Sequence, residues 1–173
     1  MQDTEKIYQT FRQSRGVSID SRTVQPGELF FALHGERTDG NQYIPMALEK
    51  GALAAVSDSN TWQGDPKVFV VDDTLTSLQQ IAQFHRQQLD LPVLAITGSN
   101  GKTTTKELVT RVLAQTLRVS ATKGNLNNHI GVPLTLLQFT EGTDIGVVEM
   151  GANHKGEIAA LCDIARPDYG LIT

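Results

Sequence analysis

The stretch that most constrains this chain is Pro92-Val93-Leu94-Ala95-Ile96-Thr97, followed at once by Gly98-Ser99-Asn100-Gly101-Lys102-Thr103-Thr104. A run that is apolar at successive positions, not alternate ones, reads as a strand covered on both faces, as in a parallel sheet. Parallel strands need a crossover, and the residues from Lys102 to Leu117 supply a helical one. The glycines let backbone N–H groups converge on one point, and the helix start adds its positive dipole end. Lys102 brings a mobile charge, and Thr103 a hydroxyl able to ligate Mg2+. Together these features read as a triphosphate-binding loop; the alternative is an ordinary strand-to-helix turn with a threonine cap. The common pattern Gly-x-x-x-x-Gly-Lys-[Ser/Thr] would need glycine where Ile96 stands, so this loop is a shortened variant.

The flanking patterns place that loop in an α/β chain. Downstream, strands near 117–121, at Ile145-Gly146-Val147-Val148-Glu149 and at Tyr169–Thr173 alternate with helices near 130–138 and 155–165. Such alternation predicts a parallel sheet beginning near residue 88. Upstream the elements are shorter: a helix near 3–14, strands at 17–20, 28–33, 53–56 and 67–71, and a helix from Ile44 to Lys50 stopped by Gly51. Thr74 is the expected cap of a helix carrying the apolar stripe Leu75, Leu78, Ile81, Ala82, His85 and Leu89. The expectation is a small α/β domain at 1–87, connecting helix included, followed by the first part of a P-loop parallel-sheet domain at 88–173. The chain ends on the last strand, so less than a whole enzyme is expected.

Composition narrows the function classes. With 15 Lys plus Arg against 19 Asp plus Glu, the net charge is −4 and the pI about 5.5. A duplex nucleic-acid binder carries a basic excess, so no nucleic-acid partner is expected. No run reaches the length that spans a bilayer, and Met1-Gln2-Asp3-Thr4-Glu5 does not open a signal peptide. One cysteine, Cys162, excludes an internal disulfide and a thiolate zinc site, which points to the cytoplasm.

A triphosphate site needs an acidic group for Mg2+, expected at the end of a neighbouring parallel strand. Glu149 stands there, just before Met150-Gly151; the alternative is a loop-bracing glutamate.

With these pieces placed, the chain resembles the Mur ligases, ATP-dependent enzymes that add amino acids to the peptidoglycan precursor. Gly98-Ser99-Asn100-Gly101-Lys102-Thr103-Thr104 is similar to that family's ATP loop. Asp20-Ser21-Arg22, Pro26-Gly27-Glu28-Leu29-Phe30, Asp39-Gly40-Asn41 and Gly51-Ala52 resemble its UDP-recognition domain. The segments Lys123-Gly124-Asn125-Leu126-Asn127-Asn128-His129-Ile130-Gly131-Val132-Pro133-Leu134-Thr135 and Glu149-Met150-Gly151-Ala152-Asn153-His154-Lys155-Gly156-Glu157-Ile158 are most similar to the member that adds D-alanyl-D-alanine. The Ser-Ser-His segment of the diaminopimelate- or lysine-adding member is not found after Glu149.

The resemblance implies an acyl phosphate made from ATP and the carboxylate of UDP-N-acetylmuramoyl-tripeptide, then attack by the amine of D-alanyl-D-alanine. It implies that Gly98, Ser99, Asn100, Gly101, Lys102, Thr103 and Thr104 hold ATP, and that Thr103 and Glu149 ligate Mg2+. Lys102 and Glu149 are the catalytic candidates. Ser21, Arg22 and Asn41 would meet the uridine diphosphate. Thr122, Asn125 and Asn128 would face the ATP site and the muramoyl end, with His154 near substrate or metal water. It implies further a longer central domain and a C-terminal domain beyond these residues, so that 1–173 alone lacks turnover; a monomer is expected.

Three other readings stay open: a non-catalytic module that binds the UDP substrate and ATP, a related Mur ligase adding another residue, and a small P-loop kinase. His34, His85 and His129 lack metal-ligand spacing. Cys162 falls on an apolar helix face with Ile158, Leu161 and Ala165 and reads as core, and Arg166-Pro167-Asp168 reads as a helix stop.

Overall fold

The computed structural model describes residues 2–35 and 38–173. Met1, where the reading of the N-terminus starts, lies outside them. The chain divides into two compact units, Met1–Ile81 and Ala82–Thr173. Both are built on four-stranded parallel sheets, as the α/β reading expects.

In the first unit, α1 (Gln2–Gln13) precedes β1 (Val17–Ser18) and β2 (Leu29–Phe31), and α2 (Ile44–Glu49) leads to β3 (Ala54–Ser57) and β4 (Val68–Val70). The strands lie in the order β1-β2-β3-β4, each parallel to its neighbour. Strands this short hold because both faces are covered: Leu29, Phe30 and Phe31 are all essentially inaccessible. Phe30 packs with Val24, Ile44, Ala47, Ala55 and Val68 in one cluster. Burying a phenylalanine of this kind contributes about 2–3 kcal/mol. Pro26-Gly27 turns between β1 and β2 as expected, with Gly27 at φ +88°. The strand expected at 53–56 lies one residue later, because Leu53 is exposed and Ser57 carries the last pairing with β4.

The helix α3 (Thr74–Gln88) spans the division between the units. Its cap is not Thr74. Asp73 Oδ1 accepts the Thr76 N–H at 2.6 Å and the Asp73 carbonyl accepts the Ser77 N–H, so Asp73 takes the capping position. Thr74 is instead the first helical residue, with a buried hydroxyl that has no hydrogen-bond partner.

The second unit contains β5 (Val93–Thr97), α4 (Lys102–Leu113), β6 (Val119–Ala121), α5 (Gly131–Leu136), β7 (Ile145–Glu149), α6 (Glu157–Ala165) and β8 (Tyr169–Ile172). Its strand order is β6-β7-β5-β8. From β5 the chain crosses outward to β6, returns to β7, and then passes to β8 on the other side of β5. The crossover direction thus reverses between β7 and β5, and ligands of open parallel sheets bind at the carboxyl ends of strands beside such a reversal. There Ile96 pairs with Glu149 and Thr97 with Ile172.

The helix expected to run to Leu117 ends at Leu113, and Leu113–Leu117 form a turn before β6. Cys162 is half-buried instead of core, with its Sγ 3.8 Å from Met150 Sδ. Burial, with a smaller push from Asp163, raises its thiol pKa and keeps it protonated. Asp168 is more than a helix stop. Its Oδ2 accepts from Arg86 Nη2 at 2.9 Å and from the Val93 N–H at 2.8 Å, while Arg86 also donates to the carbonyls of Leu89, Ala165 and Arg166. That hub fixes the starts of β5 and β8 relative to α3.

Candidate nucleotide and metal site

The loop after β5 has the geometry of an anion cradle. Gly98 and Gly101 have φ of +143° and +78°, a region closed to most side chains. A Cβ on Gly98 would also fall onto the backbone of Thr173, which follows β8 and donates its N–H to Thr97 O at 2.9 Å. The Thr173 hydroxyl donates to the Asn100 carbonyl, bracing the loop from the side. Gly101 is the N-terminal cap of α4 and brings no capping side chain. The first N–H groups of a helix have no intrahelical acceptor, so this end stays ready for an anion. Lys102 Nζ donates to the Gly98 carbonyl at 2.7 Å, which lays the ammonium along the inside of the loop. Ser99, Asn100 and Thr104 are exposed at the rim.

Glu149 ends β7 and is 1% exposed. Its Oε1 accepts from the Thr103 hydroxyl at 3.2 Å and from Asn127 Nδ2 at 2.8 Å. Its Oε2 is buried with no hydrogen-bond partner, while Lys106 Nζ lies 4.0 Å away. A buried carboxylate oxygen without a donor carries a desolvation cost unless a cation meets it. Among the described residues no cluster of three or more His, Cys, Asp or Glu could hold a metal. A cation here would take one hydroxyl and one carboxylate from the protein and the rest from phosphate and water. Mg2+ binds in that manner, so the donor set fits it.

The remaining candidates in this unit fall around Glu149. Thr122 is buried and its hydroxyl accepts the Glu149 N–H at 3.0 Å. Asn128 Oδ1 accepts the N–H groups of Ile130 and Gly131, which caps α5. Asn125 is exposed, and its carbonyl accepts the Asn127 N–H. His154 is exposed, its backbone N–H donating to Glu157 Oε2 at 3.1 Å.

Sequence reading missed two residues that touch the site, Asn127 and Lys106. Asn127 lies in the same segment as Asn125 and Asn128, and nothing in the local sequence sets it apart from them. Lys106 carried a usable signal: it follows Lys102 by one helical turn and so shares its face of α4.

In the first unit, Arg22 is exposed and forked onto Asp20, with Nη2 to Oδ2 at 2.7 Å. The Arg22 side-chain and backbone hydrogen bonds lower the Asp20 pKa to about 2. Ser21 beside them is buried. Asn41 is also buried, and its amide is spent inside the protein: Nδ2 donates to Asp39 Oδ1 and Asp58 Oδ1, and Oδ1 accepts from Ser57 Oγ at 2.6 Å. His34 Nε2 also meets Asp58 Oδ1, at 2.9 Å, and that hydrogen bond raises the imidazole pKa. Burial pushes the Asp58 pKa up, but hydrogen bonds from Asn41, His34 and the Thr74 N–H outweigh it and the net shift is downward. Among the described residues no hydrogen bond joins the Arg22 fork to the Asn41 cluster.

The chain is similar to known proteins along most of its length. The Mur ligase family catalytic-domain model matches residues 13–119, and the Mur ligase middle-domain model matches residues 96–173. A UDP-N-acetylmuramoyl-tripeptide–D-alanyl-D-alanine ligase of Bacillus subtilis is 47% identical over 161 residues, covering 91% of this chain and 35% of that protein. The Escherichia coli ligase of the same name is 42% identical over 156 residues, covering 90% and 34%. The chain thus spans about a third of the length of the curated relatives it matches. Among solved structures, MurF from Acinetobacter baumannii superposes with a TM-score of 0.85 at 33% identity, over 98% of this chain and 40% of that one. MurF ligase from Thermotoga maritima, solved in complex with ADP, does so with a TM-score of 0.80 at 37% identity, over 90% and 36%. A short glycine loop beside a strand-end glutamate, on a sheet of this order, and a family model covering well over half of the residues lead to one assignment: the chain belongs to the Mur ligase family.

Proposed function

We propose that this chain is the substrate-recognition and nucleotide-binding portion of an ATP-dependent amide ligase. In this reading the whole protein works in the cytoplasm and joins D-alanyl-D-alanine to UDP-N-acetylmuramoyl-tripeptide, the ligation that the names of its relatives describe for them. The observation that carries the reading is the meeting of Thr103 and Glu149 at 3.2 Å, across 46 positions of sequence, beside the uncapped start of α4. Residues 1–87 serve the UDP end of the precursor and residues 88–173 the nucleotide.

The residues divide the work as follows. Backbone N–H groups from Gly98 to Thr104 hold the phosphates, with Ser99 and Asn100 at the rim. Lys102 swings from the Gly98 carbonyl to the terminal phosphate, where it neutralises charge that develops during transfer to the carboxylate. Mg2+ supplies charge neutralisation across the phosphates. Thr103 and Glu149 offer it their oxygens, and Thr122 keeps Glu149 in place by accepting its N–H. Ser21 and Arg22 receive the uridine diphosphate, for which Arg22 can leave its exposed pairing with Asp20 at small cost. Asn41 shapes that end from within. Asn125 and His154, both exposed, are the groups free to reach substrate from their loops, while Asn128 contributes through the cap it forms on α5.

The test replaces the corresponding third of the Bacillus subtilis ligase with residues 1–173 and measures phosphate release. Release that needs both UDP-N-acetylmuramoyl-tripeptide and D-alanyl-D-alanine is the expected result. Formation of ADP without phosphate release and without need of the dipeptide would instead support a phosphotransferase. Binding of the UDP precursor and ATP with no turnover would support a binding module.

A further inference from the structure

We propose that Lys106 is a positioning residue that fixes Glu149 in the site, through Thr122 and across 4.0 Å, while leaving one of its carboxylate oxygens without a hydrogen bond for a divalent cation to take up. The proposal rests on the nucleotide reading of the site above. Lys106 is as buried as Glu149, each 1% exposed by side chain, and a buried lysine needs a reason. Its Nζ donates to the Thr122 carbonyl at 2.9 Å and pairs with Glu107 Oε1 at 3.0 Å. Those two contacts hold the ammonium 4.0 Å from Glu149 Oε2, the oxygen that has no hydrogen-bond partner.

That separation decides the role. At 4.0 Å an ammonium still stabilises a buried carboxylate through its charge, because the surroundings screen weakly. It is too far to donate a hydrogen bond, so it does not occupy the lone pairs of Oε2. Thr103 and Asn127 meanwhile tie down Oε1 and fix the rotation of the carboxylate. Glu149 is thereby anchored on one oxygen and vacant on the other. Thr122 links the two residues directly, its carbonyl accepting from Lys106 and its hydroxyl accepting the Glu149 N–H. Lys106 itself touches neither phosphate nor metal in this arrangement; it acts through Glu149.

The experiment uses residues 1–173 and a fluorescent ATP analogue, titrated in EDTA and across a Mg2+ series, with Lys106→Met, Glu149→Gln and the double variant. The expected result for Lys106→Met is an affinity in EDTA within twofold of the unaltered chain and a Mg2+ midpoint raised about tenfold. The same substitution made on Glu149→Gln leaves the midpoint where Glu149→Gln alone put it. A Mg2+ midpoint unmoved by Lys106→Met, with nucleotide still bound, overturns the proposal while sparing the nucleotide reading. Failure of the unaltered chain to show any Mg2+-dependent binding overturns the nucleotide reading and the positioning role with it. If Lys106→Met alone does not fold, the double variant, which buries neither charge, recovers a cooperative melt; no recovery overturns the charge pairing.

Discussion

Two carboxylates of this protein sit in closely similar places and are treated in opposite ways. Asp58 follows β3 and Glu149 ends β7, so each lies at the carboxyl end of a buried parallel strand. Asp58 is saturated: Oδ1 meets His34 and Asn41, and Oδ2 accepts the Thr74 N–H at 3.4 Å. Glu149 is left incomplete, with one oxygen bonded twice and the other not at all. The saturated cluster ties a loop, a strand end and the start of α3 together, which is architecture. The incomplete one carries a desolvation cost that a bound cation would recover, which is why we propose it as the site. Position in the fold is therefore a poor guide to function here, and the count of unsatisfied oxygens a better one.

The contrast is sharpest where a charge is removed. Lys102→Met is expected to cost about 3–4 kcal/mol of transition-state stabilisation, a loss of 10²–10³ in turnover of the chimeric ligase, with the melting temperature unchanged. Asp58→Ala is expected to do the reverse. It leaves one Asn41 amide hydrogen and the Thr74 N–H without their acceptor, so about 2–3 kcal/mol of stability is lost in denaturant titration while nucleotide affinity holds. Glu149→Gln should come next: the fold survives, and the Mg2+ enhancement of nucleotide binding falls about tenfold. If Asp58→Ala weakened nucleotide binding as much as Glu149→Gln, the division into architecture and site would be wrong.

The smallest effect belongs to His34. Its pKa is raised by Asp58, first through their hydrogen bond, so the folded state binds its proton more tightly than the unfolded state does. The resulting stabilisation is complete below the ordinary value of 6.5 and disappears as pH rises through the raised folded value. Its side chain is 54% exposed, so solvent screening keeps the effect well under about 1 kcal/mol. Denaturant midpoints at pH 5.5 and 8.5 should show a small fall that His34→Gln removes.

Legibility followed the range of the interactions. The Gly98–Thr103 loop and Glu149 were readable because local pattern carries them: an apolar run, a glycine pair, a lysine, a strand end. Lys106 and Asn127 were not singled out, since an interior helix lysine and one asparagine among three look like solvated residues until the packing of α4 and the 123–131 loop is known. Asn41 was read toward a ligand from its motif, whereas the structure spends its amide internally. The cap of α3 fell on Asp73 and not Thr74 because either residue type suits the position, and only backbone geometry chooses between them.

Sequence by itself determined the alternation of parallel strands and helices, the glycine loop and the family, because these depend on residues within one or two turns of each other. Tertiary structure alone decided which polar groups are left unsatisfied. That quantity is set by burial and by partners from distant segments, as when Thr103, Asn127 and Lys106 converge on Glu149. The chemistry proposed for this chain draws on that remainder, since a group with all its hydrogen bonds made has little left to offer a substrate or a metal.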